Sequence, residues 1–109
     1  MRRGEVVAIA DRSGQFTGKP RPAVIVQSDF FEAVPTVTIC PLTSVQAAAP
    51  LTRVPLEPTE ALPLARRSWI MADKITTIRR DHVGHVIGQV PSEAMVRLDR
   101  SLAVFLGIA

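Results

Sequence analysis

The sequence predicts an α+β chain that is mostly β: a small, strongly curved antiparallel sheet or partial barrel, with one amphipathic helix packed against it at the C-terminal end. Short apolar, β-branched runs recur from Glu5 to Val90. Gly- and Pro-punctuated loops separate them, notably DRSGQFTGKP and the stretch around Pro55, Pro58 and Pro63. After Pro91 the apolar spacing changes from strand-like to helical.

Glu5 to Ala10 is expected as the first strand, and Asp11 to Pro20 as a polar loop unsuited to a helix. Arg21 to Gln27 reads as a continuous apolar strand buried on both faces. Ser28 to Pro35, carrying Asp29, Phe30 and Phe31, turns the chain. Thr36 to Leu42 alternates as a half-buried strand that Pro41 breaks or confines to an edge. Ala47 to Ala49 suits one helical turn, and Arg53 to Leu56 a short strand. Ser68 to Met71 and Lys74 to Ile78 are strand-like, and Val86 to Val90 is the last short strand. Ser92 then serves as N-cap with Glu93 in the positive first turn. Met95, Leu98, Leu102, Phe105 and Leu106 share one helical face, and Gly107 terminates the helix.

At 109 residues the chain is expected to be one domain, able to bury roughly two-thirds of its unfolded surface. Hydrophobic content of 47% against 21% charged argues against disorder. Cys40 is the only cysteine, which rules out an intramolecular disulfide or a cysteine zinc site. Glu5 and Asp11 interrupt any apolar signal segment, and no apolar run approaches a membrane span, so a cytoplasmic location is expected. The net charge of +3 is mild, but Arg2, Arg3, Arg12, Lys19 and Arg21 crowd the first fifth of the chain, which suits attraction of a polyanion.

The most informative stretch is Lys19-Pro20-Arg21-Pro22-Ala23-Val24-Ile25-Val26, with Cys40-Pro41-Leu42-Thr43-Ser44 after it. Each proline holds its own φ and pushes the preceding residue out of helical space. Arg21 is therefore displayed from a stiff, extended lead-in to a strand. Thr43 and Ser44 close a second apolar run with hydroxyls. A fixed guanidinium facing strand-end hydroxyls suits a phosphate.

These residues resemble the MazF/PemK family, the ribonuclease toxins of bacterial toxin–antitoxin systems. Gly4-Glu5-Val6-Val7 is similar to that family's first strand, and Gly18 to Val26, with Gln27-Ser28-Asp29 after it, to its central motif. Pro41-Leu42-Thr43-Ser44, Ser68 to Ile75 and a helix ending Leu106-Gly107-Ile108 supply the remaining blocks. The resemblance implies the SH3-like barrel shared by MazF and CcdB, a homodimer, and an antitoxin whose extended acidic tail wraps it. It also implies catalytic roles for Arg21 and Thr43. Asp73 and Lys74 fall where the family carries an acidic residue followed by glutamine; two positions further on, Thr76 stands where the family commonly has arginine.

Ser44 is a candidate phosphate donor beside Thr43. Within the loop, Arg12, Gln15, Phe16 and Lys19 are candidate contacts to flanking bases, Phe16 by stacking. Asp73 is equally suited to a structural ion pair with an arginine. His82 and His85, three apart with nothing completing a metal site, read as surface histidines, and Trp69 as core or dimer surface. No spaced carboxylate pair, Gly-rich phosphate loop or serine-nucleophile elbow is present, so an enzyme here is expected to work with no metal and no organic cofactor.

The reading that joins these features is a type II toxin cleaving single-stranded RNA, the ribose 2′-OH attacking its own 3′-phosphate. The alternative is a CcdB-like toxin that traps DNA gyrase. Val26 to Asp29, Ser68-Trp69 and Gly107-Ile108 resemble CcdB as well, but the Arg21 and Thr43 pair has no role in trapping gyrase.

Overall fold

The computed structural model describes residues 1–11, 13–16 and 21–109. Among these, seven strands and one α-helix follow in the order β1 (Glu5–Ile9), β2 (Arg21–Ile25), β3 (Thr36–Thr43), β4 (Arg53–Leu56), β5 (Ser68–Met71), β6 (Thr76–Arg79), β7 (Val83–Gln89) and α1 (Ser92–Phe105). The strands form one sheet in the order β4-β5-β3-β2-β1-β7, with β6 pairing β3 off this path. Every pairing is antiparallel. The sheet does not close, so of the two expected forms the open sheet is the one observed.

Strand alternation divides the interior in two. Val6, Val24, Cys40, Leu42, Val54, Leu56 and Ile70 face the helix and pack against Ala94, Met95, Leu98 and Leu102. Val7, Ala23, Ile25, Val37 and Ile39 point the other way and form a second cluster, with Ile9, Ile78 and Val83 at its margin. Successive residues of β2 therefore enter different cores, and Ala23, Val24 and Ile25 are all buried, as the unbroken apolar run predicts. Full burial of a valine or isoleucine contributes about 1.5–3 kcal/mol.

β3 is the hinge of the sheet. Thr36 to Ile39 pair β6, whereas Leu42 and Thr43 pair β5. Pro41 falls where the strand changes partner, so it neither breaks the strand nor lies on an edge strand. Its other neighbour is Ala23 of β2. A proline is tolerated because the ladder on one side is already interrupted there.

Other expectations need correction. Ala47 to Ala49 form no helical turn; the Ala49 carbonyl instead accepts from the Thr52 and Arg53 N–H groups and leads into β4. Lys74 belongs to a 3-10 turn, Ala72–Lys74, and the next strand begins only at Thr76. β7 begins at Val83, three residues before the expected start, and carries His85. Pro91, not Ser92, is the N-cap residue of α1, and its carbonyl accepts from the Ala94 and Met95 N–H groups at 3.0 and 3.1 Å. Phe105 and Leu106 reach solvent. Helical spacing sets where they point but supplies nothing opposite them. Gly107 ends the helix as expected: its φ is +75°, the Ile108 N–H donates to Ala103 O at 2.8 Å, and its own N–H donates to Val104 O at 3.2 Å.

The N-terminal arginines separate from Arg21. Gly4 donates its N–H to Ile25 O, placing Arg2 and Arg3 beyond the C-terminal end of β2, while Ile9 pairs Arg21 at the other end. The four residue steps of β2 span about 13 Å. Arg2 pairs with Asp29 at 3.1 Å. Arg3 donates from Nε to Val26 O at 2.9 Å and forms an ion pair with Asp99 of α1. Among the described residues, the expected basic patch therefore separates into Arg2 and Arg3, which tie the N-terminus to the sheet and helix, and Arg21 at the other end of β2.

Candidate active site

Arg21 opens β2 and is exposed, while Pro22 behind it holds the backbone extended. Ala23↔Pro41, Val24↔Cys40 and Ile25↔Ile39 set the register between β2 and β3. Carried two residues further to the strand ends, it sets Arg21 across from Thr43. Thr43 in turn pairs Trp69 of β5, and Trp69 pairs Pro55 of β4. Directly opposed residues of antiparallel strands share a face. Ile9, Arg21, Thr43, Trp69 and Pro55 thus form one transverse row on the face away from α1, where the second core ends.

The Thr43 hydroxyl accepts from the Val45 N–H at 3.1 Å. A hydroxyl that accepts in this way keeps its own hydrogen to donate. Ser44, next in the chain, is exposed. Arg21 is a cation that can reach non-bridging phosphate oxygens, and Thr43 is a neutral donor one strand spacing away, about 5 Å.

Asp11, read from the sequence as part of a polar loop, is the residue that closes the turn at its start. Its N–H donates to Gln15 O, and its carbonyl accepts from the Gly14 N–H, both at 2.9 Å. One carboxylate oxygen accepts from the Ser13 N–H at 2.9 Å, the Gln15 N–H at 3.1 Å and the Ser13 hydroxyl. The Ser13 hydroxyl first, then the Gln15 N–H and more weakly the Arg21 charge hold the Asp11 carboxyl below the usual range. Asp11 therefore organises the start of the loop, and the Arg21 charge acts on it only weakly. The available signal was an Asp with Ser two residues on and Gly after it, a common side-chain-capped turn.

The loop lies against β7. The Phe16 ring covers Gly84, with its Cε1 only 2.8 Å from where a β-carbon would stand. The His82 imidazole lies against Gly14, and the His82 carbonyl accepts from the Ala10 N–H at 2.8 Å. His82 is thus half-buried beneath the loop, a correction to the surface reading, while His85 is exposed as expected. Phe16 keeps about half its surface in solvent, and the Gln15 side chain is exposed. Arg12 and Lys19 lie outside the described residues.

Asp73 lies on the 3-10 turn Ala72–Lys74. Arg53 grips it with two hydrogen bonds, Nε to Oδ1 at 3.0 Å and Nη2 to Oδ2 at 3.3 Å, and this grip is the main cause that holds its carboxyl below the usual range. Its structural alternative is the arrangement present. Lys74 is exposed on the same 3-10 turn. Cys40 is fully buried, and burial, with Asp73 nearby, pushes its thiol up to about 12, which keeps it protonated and unreactive near neutral pH. Trp69, expected in the core or at a dimer surface, is half-buried beside Thr43, with the Arg67 guanidinium 5.2 Å from its ring centroid.

Residues 2–106 match the model of the PemK-like, MazF-like toxins of type II toxin–antitoxin systems. A probable endoribonuclease MazF of Mycolicibacterium smegmatis (strain ATCC 700084 / mc(2)155) is 48% identical over 109 residues, covering 100% of this chain and 99% of that protein. Among solved structures, an endoribonuclease in complex with its cognate antitoxin from a Mycobacterial species superposes with a TM-score of 0.77 at 23% identity, covering 100% of this chain and 97% of that one. The Mycobacterium tuberculosis toxin MazF-mt6 gives 0.78 at 22% identity, covering 96% and 97%. At those identities the two structures speak for the fold.

Proposed function

Because this chain belongs to the PemK-like, MazF-like toxins of type II toxin–antitoxin systems, we propose that it is a metal-independent endoribonuclease that cuts single-stranded RNA at preferred sequences. The observation that carries the reading is the β2–β3 register, which from Ala23↔Pro41 leads to exposed Arg21 and to Thr43 at the adjoining strand ends. The ribose 2′-oxygen attacks the adjacent phosphorus, the new O2′–P bond forms, and the P–O5′ bond breaks. The 2′-hydroxyl gives up its proton, and the departing 5′-oxygen takes one. The products are a 2′,3′-cyclic phosphate and a 5′-hydroxyl.

The substrate brings its own nucleophile, so the protein's task is positioning and charge stabilisation. Arg21 meets the negative charge that grows on the non-bridging oxygens. Thr43 donates to the same phosphate and sets its orientation. The loop from Asp11, through Gln15 and Phe16, contacts flanking bases, with Lys74 and Ser44 as further contacts. Such readout needs unstacked bases, which makes duplex a poor substrate. The protein acts in the cytoplasm as a homodimer, and its antitoxin folds an acidic segment over the RNA-binding face. The family of the matched model supports that partner.

The test is to incubate wild type and Arg21→Ala with a long single-stranded RNA in EDTA and map the new ends. Discrete 5′-hydroxyl cuts, lost in the variant and blocked by deoxyribose at the cut site, are expected. No cuts across a sequence-rich RNA overturn the reading and turn attention to gyrase.

A further inference from the structure

We infer that Arg67, seated on the Trp69 indole, is the stacking platform for an unpaired base beside the scissile phosphate, and so helps decide which RNA sequence is cut. This rests on the endoribonuclease reading above. Trp69 is the register partner of Thr43, on the same face and one strand spacing away, about 5 Å. A nucleotide whose phosphate is held by Thr43 and Arg21 brings a neighbouring base over this position.

The Arg67 guanidinium lies over the indole, 5.2 Å from its centroid, and forms an ion pair with Glu57, its Nε 2.7 Å from Oε1. The guanidinium is thus held between the ring and a carboxylate. The Arg67 side chain is 52% exposed, which leaves about half of it open to a ligand. Guanidinium planes stack on unpaired bases as aromatic rings do. The neighbouring Glu57 charge offsets the cation, so the platform favours a flat base over a bare phosphate. Trp69 is a positioning residue that acts through Arg67; Arg67 makes the contact.

Trp69 is the only tryptophan in the chain, so its emission reports the platform directly. Wild type, Arg67→Ala and Arg67→Lys are titrated with an oligonucleotide carrying deoxyribose at the cut site, then assayed on a mixed-sequence single-stranded RNA. Arg67→Ala is expected to bind about tenfold more weakly. KM rises to match, kcat stays within about threefold, and preference relaxes at one flanking base. Arg67→Lys should behave like Arg67→Ala, because the ammonium keeps the charge but has no plane to stack.

Full rescue by lysine, or unchanged KM and cut sites in Arg67→Ala, overturns the platform and leaves the endoribonuclease reading standing. If wild type cuts no RNA, that reading fails, and the titration decides the platform alone. An emission change that depends on Arg67 sustains it, and its absence overturns it.

Discussion

The two ends of the β1–β2–β7 strands carry similar residues and do opposite things. At the end where β1 begins, Arg2 and Arg3 are bound to Asp29, Asp99 and Val26 O, and Gly88 of β7 is closed over by the Ala61 carbonyl, 2.4 Å from where a β-carbon would stand. At the end where β1 finishes, Arg21 is exposed, with Asp11 as a more distant charge, and a β-carbon at Gly84 of β7 would crowd the tip of the Phe16 ring, with the Ala8 carbonyl at an ordinary 3.4 Å. Among the described residues, the first end spends its cations on holding the fold together, and the second leaves Arg21 exposed. Counting basic residues along the chain does not separate the two, because what differs is whether a carboxylate or carbonyl stands within hydrogen-bonding reach.

The strongest way to break this contrast is to remove one arginine from each end. Arg21→Ala should lower kcat about 10³-fold in a cleavage assay and leave the melting temperature nearly unchanged. Arg3→Ala should do the reverse, costing about 1 kcal/mol, or roughly 4–8 °C in a thermal melt, with cleavage intact. If Arg3→Ala abolishes cleavage without loss of stability, the division of labour is wrong.

Thr43→Val comes next. It removes the donor while keeping a β-branched residue in the strand, and should lower kcat about 10- to 100-fold in single-turnover cleavage. The two β7 glycines then sharpen the comparison through stability. Gly88→Ala places a methyl against backbone and should destabilise by about 2 kcal/mol in urea titration. Gly84→Ala meets the movable Phe16 ring, so stability should hold within about 1 kcal/mol while KM for RNA rises a few-fold as the ring swings aside.

The smallest effect concerns Asp73, whose ion pair with Arg53 is structural. Its folded pKa is depressed relative to the ordinary value of 3.8. The stability it contributes is therefore complete above that value and is lost as pH falls through 3.8 toward the folded pKa, because the unfolded chain takes up the proton first. Asp73→Asn should melt lower than wild type at pH 7, and its melting temperature should fall less steeply below about pH 4. Equal slopes in that window would remove the ion pair from the account.

Much of the molecule was legible beforehand. β4 and β5 lie where the short β-branched runs place them, and Gly107 ends α1 because only a residue tolerant of positive φ closes that helix end. Other expectations failed where local pattern competes with distant partners. Pro41 looked like a strand breaker, yet β3 exchanges β6 for β5 around it. Phe105 continues the apolar stripe of α1, as its spacing predicts, yet remains 46% exposed, because spacing does not set what packs opposite it. Asp73 suited an ion pair with an arginine that the sequence could not name, and the tertiary structure supplies Arg53.

From the sequence alone came the elements and the display of Arg21. Proline stereochemistry, strand alternation and helical spacing act over a few residues and need no distant contact. Only the tertiary structure decided what stands beside Arg21. Interstrand register brings Thr43 and Trp69 into its row, and Arg2 and Arg3 go to the far end. Those neighbours are separated by tens of residues, and their proximity depends on which strands pair and in which register, a property of the whole chain.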